Sequence, residues 1–219
     1  MIVTIDGPAG AGKSSAARSL ARRLGFRFLD TGAMYRAVAL AALRRGHDWS
    51  QPEALVELAR SLRLELDSPR VLLDGEDVSQ TIRTIEITSI THYAADNPGV
   101  RELMVEQQRV MAQSGDVVTE GRDQRTVVFP HAECKIFLTA TPEERAQRRL
   151  EDLASRGQQT TLAEVLDKQN ERDRRDSVRS CGPLRKAADA IEVCTDGMSP
   201  ADVVDRLEAL VRARMRHGE

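Results

Sequence analysis

The run Gly7-Pro8-Ala9-Gly10-Ala11-Gly12-Lys13-Ser14 fits the pattern G-x-x-x-x-G-K-[ST]. No other feature constrains the fold as tightly, because this loop works only between a strand and a helix. Its glycines let successive backbone N–H groups turn inward on an anion. The lysine then reaches the β- and γ-phosphates of a nucleoside triphosphate, and the serine hydroxyl suits Mg²⁺. The flanks agree. Met1-Ile2-Val3-Thr4-Ile5 reads as a short buried strand, and Lys13 to Leu24 carries Ala16, Leu20 and Leu24 on one helical face. A helix N-terminus at Lys13 adds its own affinity for anions. Gly7, Pro8, Ala9, Gly10, Ala11, Gly12, Lys13, Ser14 and Ser15 are therefore the expected triphosphate-binding residues, with Lys13 as a catalytic cation and Ser14 as the metal ligand.

The rest of the chain continues the alternation. Ile2–Ile5, Arg27–Leu29, Asp116–Thr119, Cys134–Leu138 and Ala190–Cys194 read as core strands with helical patterns between them, which predicts a parallel α/β sheet. Helix starts are marked at Thr141-Pro142-Glu143-Glu144, at Thr161-Leu162-Ala163-Glu164 and at Ser199-Pro200-Ala201-Asp202. After the last of these, Val203, Val204, Leu207, Leu210 and Val211 form a buried stripe. Residues 61–79 break the rhythm. Leu64-Glu65-Leu66, Val71-Leu72-Leu73 and Asp74-Gly75 predict a small antiparallel hairpin or meander, followed by helices over 84–96 and from Pro98 to Gln113. This stretch reads as an insertion into the core.

Composition narrows the partners. At 219 residues the chain can bury a sizeable core, and 41% hydrophobic beside 30% charged residues describes a soluble globular protein. No run approaches the ~18–20 apolar residues of a membrane span. The first strand begins too close to Met1 for a signal or transit peptide, so a cytoplasmic location is expected. Cys134, Cys181 and Cys194 lack metal or redox spacing and read as reduced thiols. A net charge of −2 argues against nucleic acid or a membrane surface as partner. Of the 32 basic residues only Lys13, Lys135, Lys168 and Lys186 are lysines, and guanidinium forks suit phosphate oxygens where they cluster.

Three polar sets suit a second anionic substrate. Asp30-Thr31-Gly32-Ala33-Met34-Tyr35-Arg36 follows the second strand, with Thr31 expected as a helix cap and Arg36 about one turn in. Glu120-Gly121-Arg122-Asp123 sits at the carboxyl end of a core strand, where α/β folds bind ligands. The third set is a helical hairpin with Gly157 at its tip. Arg145, Arg148, Arg149 and Arg156 share one face of its first helix, and Arg172, Asp176 and Arg179 share one side of its second. A solvated charged face is the ordinary meaning of such residues. Placed beside a phosphate loop, the hairpin has the form of a lid.

With these motifs assembled, the chain resembles the bacterial cytidylate kinases of the nucleoside-monophosphate kinase family. The likeness runs through IDGPAGAGKSS, LDTGAMYR, DGEDVSQTIRT, VRELMVEQQR, EGRDQRTVVFP, KIFLTATPEERAQRR, ERDRRDSVRS and PLRKAADAIEV. It implies a five-stranded parallel sheet flanked by helices as a P-loop kinase core (about 1–30, 97–147 and 183–219), an inserted NMP-binding subdomain (31–96) and an arginine-rich lid (148–182). It further implies that Thr31, Arg101 and Asp123 recognise the cytosine and that Arg36 and Arg122 lie near the CMP phosphate. Arg172 and Asp176 match sugar-recognition positions, Arg179 another CMP-site arginine, and Arg148 and Arg149 lid arginines that act in catalysis. ATP, CMP or dCMP and Mg²⁺ are the implied small molecules, and the family suggests a monomer. The chain departs from the family pattern D-G-R-D-[IM]-G-T-V-V-F-P at Glu120, Gln124 and Arg125, carries His92 where a base-contacting serine is usual, and has Cys194 for a frequent aspartate.

The activity so implied is γ-phosphoryl transfer from ATP to CMP or dCMP. Its demands are positioning and charge stabilisation, and the acceptor phosphate is already ionised, so no general base is required. The enzyme rivals are a P-loop kinase for UMP or shikimate, or a UMP/CMP kinase of broader specificity. The base-reading set speaks against a non-nucleotide acceptor. A regulator that has lost catalysis is the rival of another class, suggested by Gln124 and Arg125 and opposed by Lys13, Ser14, Arg36, Arg122, Asp123 and the lid arginines.

Overall fold

The computed structural model describes residues 1–67, 69–155 and 157–217. Strand β1 (Ile2–Asp6) runs through the glycine loop into α1 (Lys13–Leu24), and β2 (Arg27–Asp30) runs directly into α2 (Thr31–Arg44). Helix α3 (Pro52–Ser61) precedes three short strands, β3 (Leu64–Asp67), β4 (Arg70–Leu73) and β5 (Glu76–Asp77). A 3-10 turn (Thr81–Arg83) leads to α4 (Ile85–Ala95) and α5 (Pro98–Ala112). Then come β6 (Val117–Gly121), a π-helical turn (Gln124–Val128) and β7 (Cys134–Thr139). The chain closes with α6 (Pro142–Ser155), α7 (Leu162–Val178), β8 (Ile191–Cys194) and α8 (Pro200–His217). One sheet has five strands in the order β2-β6-β1-β7-β8, the other three in the order β3-β4-β5. The expected P-loop α/β core with an insertion is therefore present. Contacts divide the chain into two compact units, Met1–Phe26 with Asp116–Glu219, and Arg27–Gly115.

In the first unit β1 is flanked by parallel partners on both edges. Ile2 to Asp6 pair with Val117 to Gly121 on β6, and Val3 to Asp6 with Cys134 to Phe137 on β7. Val3, Thr4, Ile5 and Asp6 are all fully buried, the continuous burial of a parallel strand covered on both faces. The register brings Asp6, Gly121 and Phe137 level with one another at the strands' carboxyl ends. Helix α1 packs on β6 and α8 through Ala16, Ala17, Leu20 and Ala21. On α8 the expected stripe is buried at Val203, Val204, Leu207 and Val211, each side chain stabilising the fold by roughly 1.5–3 kcal/mol relative to exposure.

The helix starts hold, with one correction. Thr161 and Glu164 form a reciprocal capping box on α7, and Ser199 and Asp202 do the same on α8. On α6 the Glu144 N–H donates to Thr141 Oγ1 at 3.3 Å, but the Glu144 carboxylate does not return the bond. Asp196 accepts the Thr141 N–H at 2.9 Å instead, and Glu144 turns to Arg148 one turn along, where an opposite charge at i,i+4 attracts it.

In the second unit α2 is buried nearly all round, at ten of its 14 residues. Met34, Val38, Leu55, Val71, Ile82, Ile87, Val100 and Met104 build the core around it. The expected meander is a three-stranded antiparallel sheet whose second turn has Asp74 at φ 52° and Gly75 at φ 87°, the left-handed pair a type I′ turn needs. Helix α3 is not anticipated from the sequence, although Pro52 at its first turn was a signal for it. The expected cap at Thr31 is corrected. Asp30 is the N-cap, its carboxylate accepting the Ala33 N–H at 2.9 Å, and Thr31 is the first helical residue.

Candidate active site

The phosphate loop is shaped by contact as much as by conformation. A Cβ at Gly7 would stand 1.9 Å from the Leu138 carbonyl oxygen, so no side chain fits there. Gly12 caps α1 at φ 82°, where a Cβ is strained. Lys13 is 5% exposed and donates from Nζ to the Pro8 carbonyl at 2.7 Å. Burial, reinforced by Arg122 and Arg172, holds its ammonium group down to about 7 against the opposing pull of Glu120 and Asp176. The middle of the loop is fastened to the helical hairpin. Arg145 Nη1 donates to the Ala9 carbonyl at 2.7 Å and to Asp173 Oδ2 at 2.6 Å, and Asp173 Oδ1 accepts the Ala9 N–H at 3.4 Å.

The end of β6 supplies the next groups. Ser14 Oγ donates to Glu120 Oε1 at 2.8 Å, joining the loop serine to the last acidic residue of the strand. A hydroxyl and one carboxylate fit a Mg²⁺ ion that takes its remaining oxygens from nucleotide phosphates and water. Among the described residues no group of three or more His, Cys, Asp or Glu could hold a metal by itself. Beyond Gly121 the chain makes a π-helical turn, with the Val128 N–H bonding the Asp123 carbonyl and the Phe129 N–H the Gln124 carbonyl. Such turns recur at functional sites because they re-aim side chains. Asp6 anchors this one, accepting the N–H groups of Gln124 at 3.0 Å and Arg125 at 2.9 Å.

Arg122 Nε donates to Asp176 Oδ2 on α7 at 2.7 Å, and its Nη1 to the Gly121 carbonyl at 3.2 Å. Burial alone would push the Asp176 carboxyl up, but Arg122, with Arg172 and Arg179 adding, outweighs it and holds the group below the usual carboxylate range. Arg172 is exposed on α7. Arg179 lies just past the helix as its C-cap, with Nη1 3.8 Å from Asp176 Oδ1 and Nε donating to the Gly182 carbonyl at 2.8 Å. Within this unit, Lys13, Ser14, Glu120, Arg122, Arg172 and Asp176 thus form one electrostatically connected set.

The second unit holds the other predicted binding residues. Asp30 accepts from Arg36 Nη2 at 3.4 Å and from Arg83 Nη2 at 2.9 Å, and Arg36 Nε is buried without an acceptor among the described residues. Thr31 is buried at the start of α2. Arg101 donates from Nη1 to the Ala95 carbonyl at 2.9 Å and lies over the Tyr35 ring, 5.4 Å from its centroid. His92 Nδ1 is 2.8 Å from the Ser89 carbonyl oxygen, and its ring lies 4.2 Å from that of Tyr93.

A model of the family described as cytidylate kinase matches residues 3–213, almost the whole chain. The chain belongs to the cytidylate kinase family. Relatives named cytidylate kinase include one from Rhodopirellula baltica, 54% identical over 212 residues that span 97% of this chain and 93% of that protein. Another, from Pelotomaculum thermopropionicum, is 50% identical over 98% of this chain and 97% of its own. Among solved structures the chain is similar to a gluconokinase from Sinorhizobium meliloti 1021, at TM-score 0.51 and 16% identity over 98% of this chain and 93% of that one. It is similar also to a shikimate kinase from Bacteroides thetaiotaomicron, at TM-score 0.50 and 14% identity over 97% and 98%. At such identities the structural likeness speaks for the fold alone.

Within this family member the hairpin arginines differ in circumstance although the sequence grouped them. Arg145 is buried on Ala9 and Asp173. Arg148 donates to Thr195 Oγ1 at 2.9 Å, to the Thr195 carbonyl at 2.7 Å and to Glu144 at 3.0 Å. Arg149 is 45% exposed and pairs with Asp152 at 2.7 Å. Arg156 lies outside the described residues. Sequence reasoning missed Asp6, Arg83 and Asp173, whose roles depend on partners far along the chain. It also singled out Glu120 without joining it to Ser14.

Proposed function

We propose that this member of the cytidylate kinase family transfers the γ-phosphoryl group of ATP to CMP or dCMP, giving ADP and CDP or dCDP. The observation that carries the reading is that Arg122 and Arg172 act on the P-loop Lys13, opposed by Glu120 on Ser14 and by Asp176 on Arg122. Two anionic phosphates meeting head-on need such a concentration of positive charge, and phosphoryl transfer depends chiefly on positioning and electrostatic stabilisation.

In this reading residues 1–30, 97–147 and 183–219 serve as the catalytic core, 31–96 as the acceptor subdomain and 148–182 as the lid. Gly7 to Ser15 cradle the ATP phosphates, and Lys13 bridges toward the γ-phosphoryl group. Ser14 and Glu120 would hold Mg²⁺, which when bound with ATP neutralises charge on the β- and γ-oxygens. Arg36 and Arg122 take the acceptor phosphate, Thr31, Arg101 and Asp123 the cytosine, Arg172 and Asp176 the sugar, and Arg179 a further CMP contact. Of the lid arginines, Arg149 has one exposed partner to exchange for phosphate, whereas Arg148 must leave both Thr195 and Glu144.

The test offers CMP, dCMP, UMP, AMP and shikimate to the purified protein with Mg·ATP and follows ADP release. CMP-dependent ADP is expected, with UMP turned over more slowly. Absence of CMP-dependent ADP rejects the kinase reading, and equal rates with UMP reject cytosine selectivity.

A further inference from the structure

The Arg125 side chain is fully buried, as is the Asp6 carboxylate it meets. Nη1 pairs with Asp6 Oδ2 at 2.9 Å, Nη2 donates to the Arg185 carbonyl, and the guanidinium lies 4.6 Å from the centroid of the Phe137 ring. A cation so enclosed cannot touch a substrate. Nor does stability account for it well, since removing two charges from water offsets most of their attraction. What the guanidinium adds is a tether: Nη2 holds the Arg185 carbonyl while the charge stays against Asp6, and Nη1 and Nε find no hydrogen-bond acceptor among the described residues.

Those partners define what is being held. The Arg185 carbonyl follows Leu184, whose N–H bonds the Asp176 carbonyl at 2.7 Å, so residues 176–185 fold back as one turn. Arg179 braces its interior through the Gly182 carbonyl. The start of the turn is fastened by Arg122 to Asp176, and its end by Arg125 to Arg185. Both arginines come from the same short loop after β6. Asp6 keeps that loop in place through two backbone N–H bonds that do not involve the Arg125 side chain.

We infer that Arg125 is a positioning residue for the acceptor nucleotide: it clamps the end of the 176–185 turn to the loop carrying Arg122 and Asp123, and so sets where Asp176 and Arg179 stand. This rests on the CMP-kinase reading above. Loss of the clamp loosens the acceptor side, while the Asp6 carboxylate still holds the N–H groups of Gln124 and Arg125 and leaves the phosphate loop that follows Asp6 to keep its hold on ATP.

The experiment compares steady-state kinetics of the wild type, Arg125→Lys and Arg125→Met with Mg·ATP and CMP, alongside amide hydrogen exchange. Lysine keeps a cation for Asp6 but lacks the fork that reaches Arg185 as well. For Arg125→Lys, KM for CMP is expected to rise about 10-fold, the worth of one charge-assisted hydrogen bond, with KM for ATP within about twofold. Exchange at Leu184 is expected to quicken while β1 is unchanged. Arg125→Met is expected to show the same split, and should it fail to fold, Arg125→Lys decides. Wild-type KM for CMP in a folded Arg125→Lys protein, or equal rises in both KM values, overturns the clamp. A wild type inactive with CMP overturns the kinase reading instead, and exchange at Leu184 in Arg125→Lys no faster than in wild type would then overturn the clamp.

Discussion

Arg122 Nε lies 2.7 Å from Asp176 Oδ2, and the two side chains are only 16% and 14% exposed. This pair joins the end of β6 to the last turns of α7. Because Arg122 and its fellow arginines hold the Asp176 carboxyl below its unfolded value of 3.8, the pair stabilises the protein above about pH 4 and loses that effect as pH falls through the lower folded value. Asp176→Asn is therefore expected to cost about 2 kcal/mol near neutrality. The deficit against wild type should shrink on acidification below pH 4. Chemical denaturation at pH 7 and at pH 3 checks this, and a deficit that stays constant would contradict it.

Lys13 gives a second prediction. Its folded pKa of about 7 lies far below the ordinary 10.5, so between these values the unfolded chain binds the proton more fully. In the free protein this group's contribution to stability therefore increases as pH rises from 7 toward 10.5. A bound triphosphate reverses the bias by favouring the ammonium form. Mg·ATP binding at pH 8 should be accompanied by proton uptake, declining as pH falls below 7. Calorimetric titration in buffers of differing ionisation enthalpy reads this directly, and a binding heat independent of buffer at pH 8 would refute it.

The Ser14–Glu120 bond bears on the proposed metal site. Glu120→Gln keeps the size and one acceptor oxygen but removes the charge. Turnover at fixed Mg²⁺ should fall about 10–100-fold, with a higher Mg²⁺ concentration needed for half-maximal rate. A Mg²⁺ titration of the variant superimposing on that of wild type would remove Glu120 from the metal site.

Gly7 is a test of packing. Because an added Cβ would meet the backbone of Leu138 at 1.9 Å, the strain cannot be relieved by a side-chain rotation. Gly7→Ala is expected to destabilise by about 3 kcal/mol, lowering Tm by ~6–12 °C. A thermal melt within a degree of wild type would show that β7 yields more easily than the full burial of Leu138 suggests.

The cysteines should separate by burial. Cys134 is fully buried on β7 and burial pushes its thiol up to about 11, whereas Cys194 is exposed. Alkylation at pH 7.5 should modify Cys194 in the native protein and Cys134 only after denaturation, as read by peptide mass spectrometry. Native labelling of Cys134 at a comparable rate would contradict this placement.

Much of the fold was legible because its signals are local. The glycine loop, the strand runs, the Asp74-Gly75 turn and the Ser/Thr-Pro helix starts each depend on residues within a few positions of one another. Where sequence reading slipped, a longer-range or competing partner had intervened. Asp30 outbids Thr31 as the α2 cap because its carboxylate reaches the Ala33 N–H, and Asp196 replaces Glu144 in the α6 box from 55 residues away.

The amino-acid pattern by itself determined the phosphate loop, the parallel α/β core, the inserted antiparallel sheet and the identity of the acidic and basic residues near the strand ends. Tertiary structure alone decided how those charges are deployed. Helical periodicity grouped Arg145 with Arg148 and Arg149, yet Arg145 is buried against Ala9 and Asp173 while Arg149 faces solvent. Glu120 finds Ser14, and Arg125 finds Asp6 and Arg185, across separations of 60 to 119 residues. A charge in a sequence carries no mark of its partner. Only the folded register, in which Asp6, Gly121 and Phe137 lie level, determines which opposite charge or carbonyl stands within reach and how far water is excluded between them.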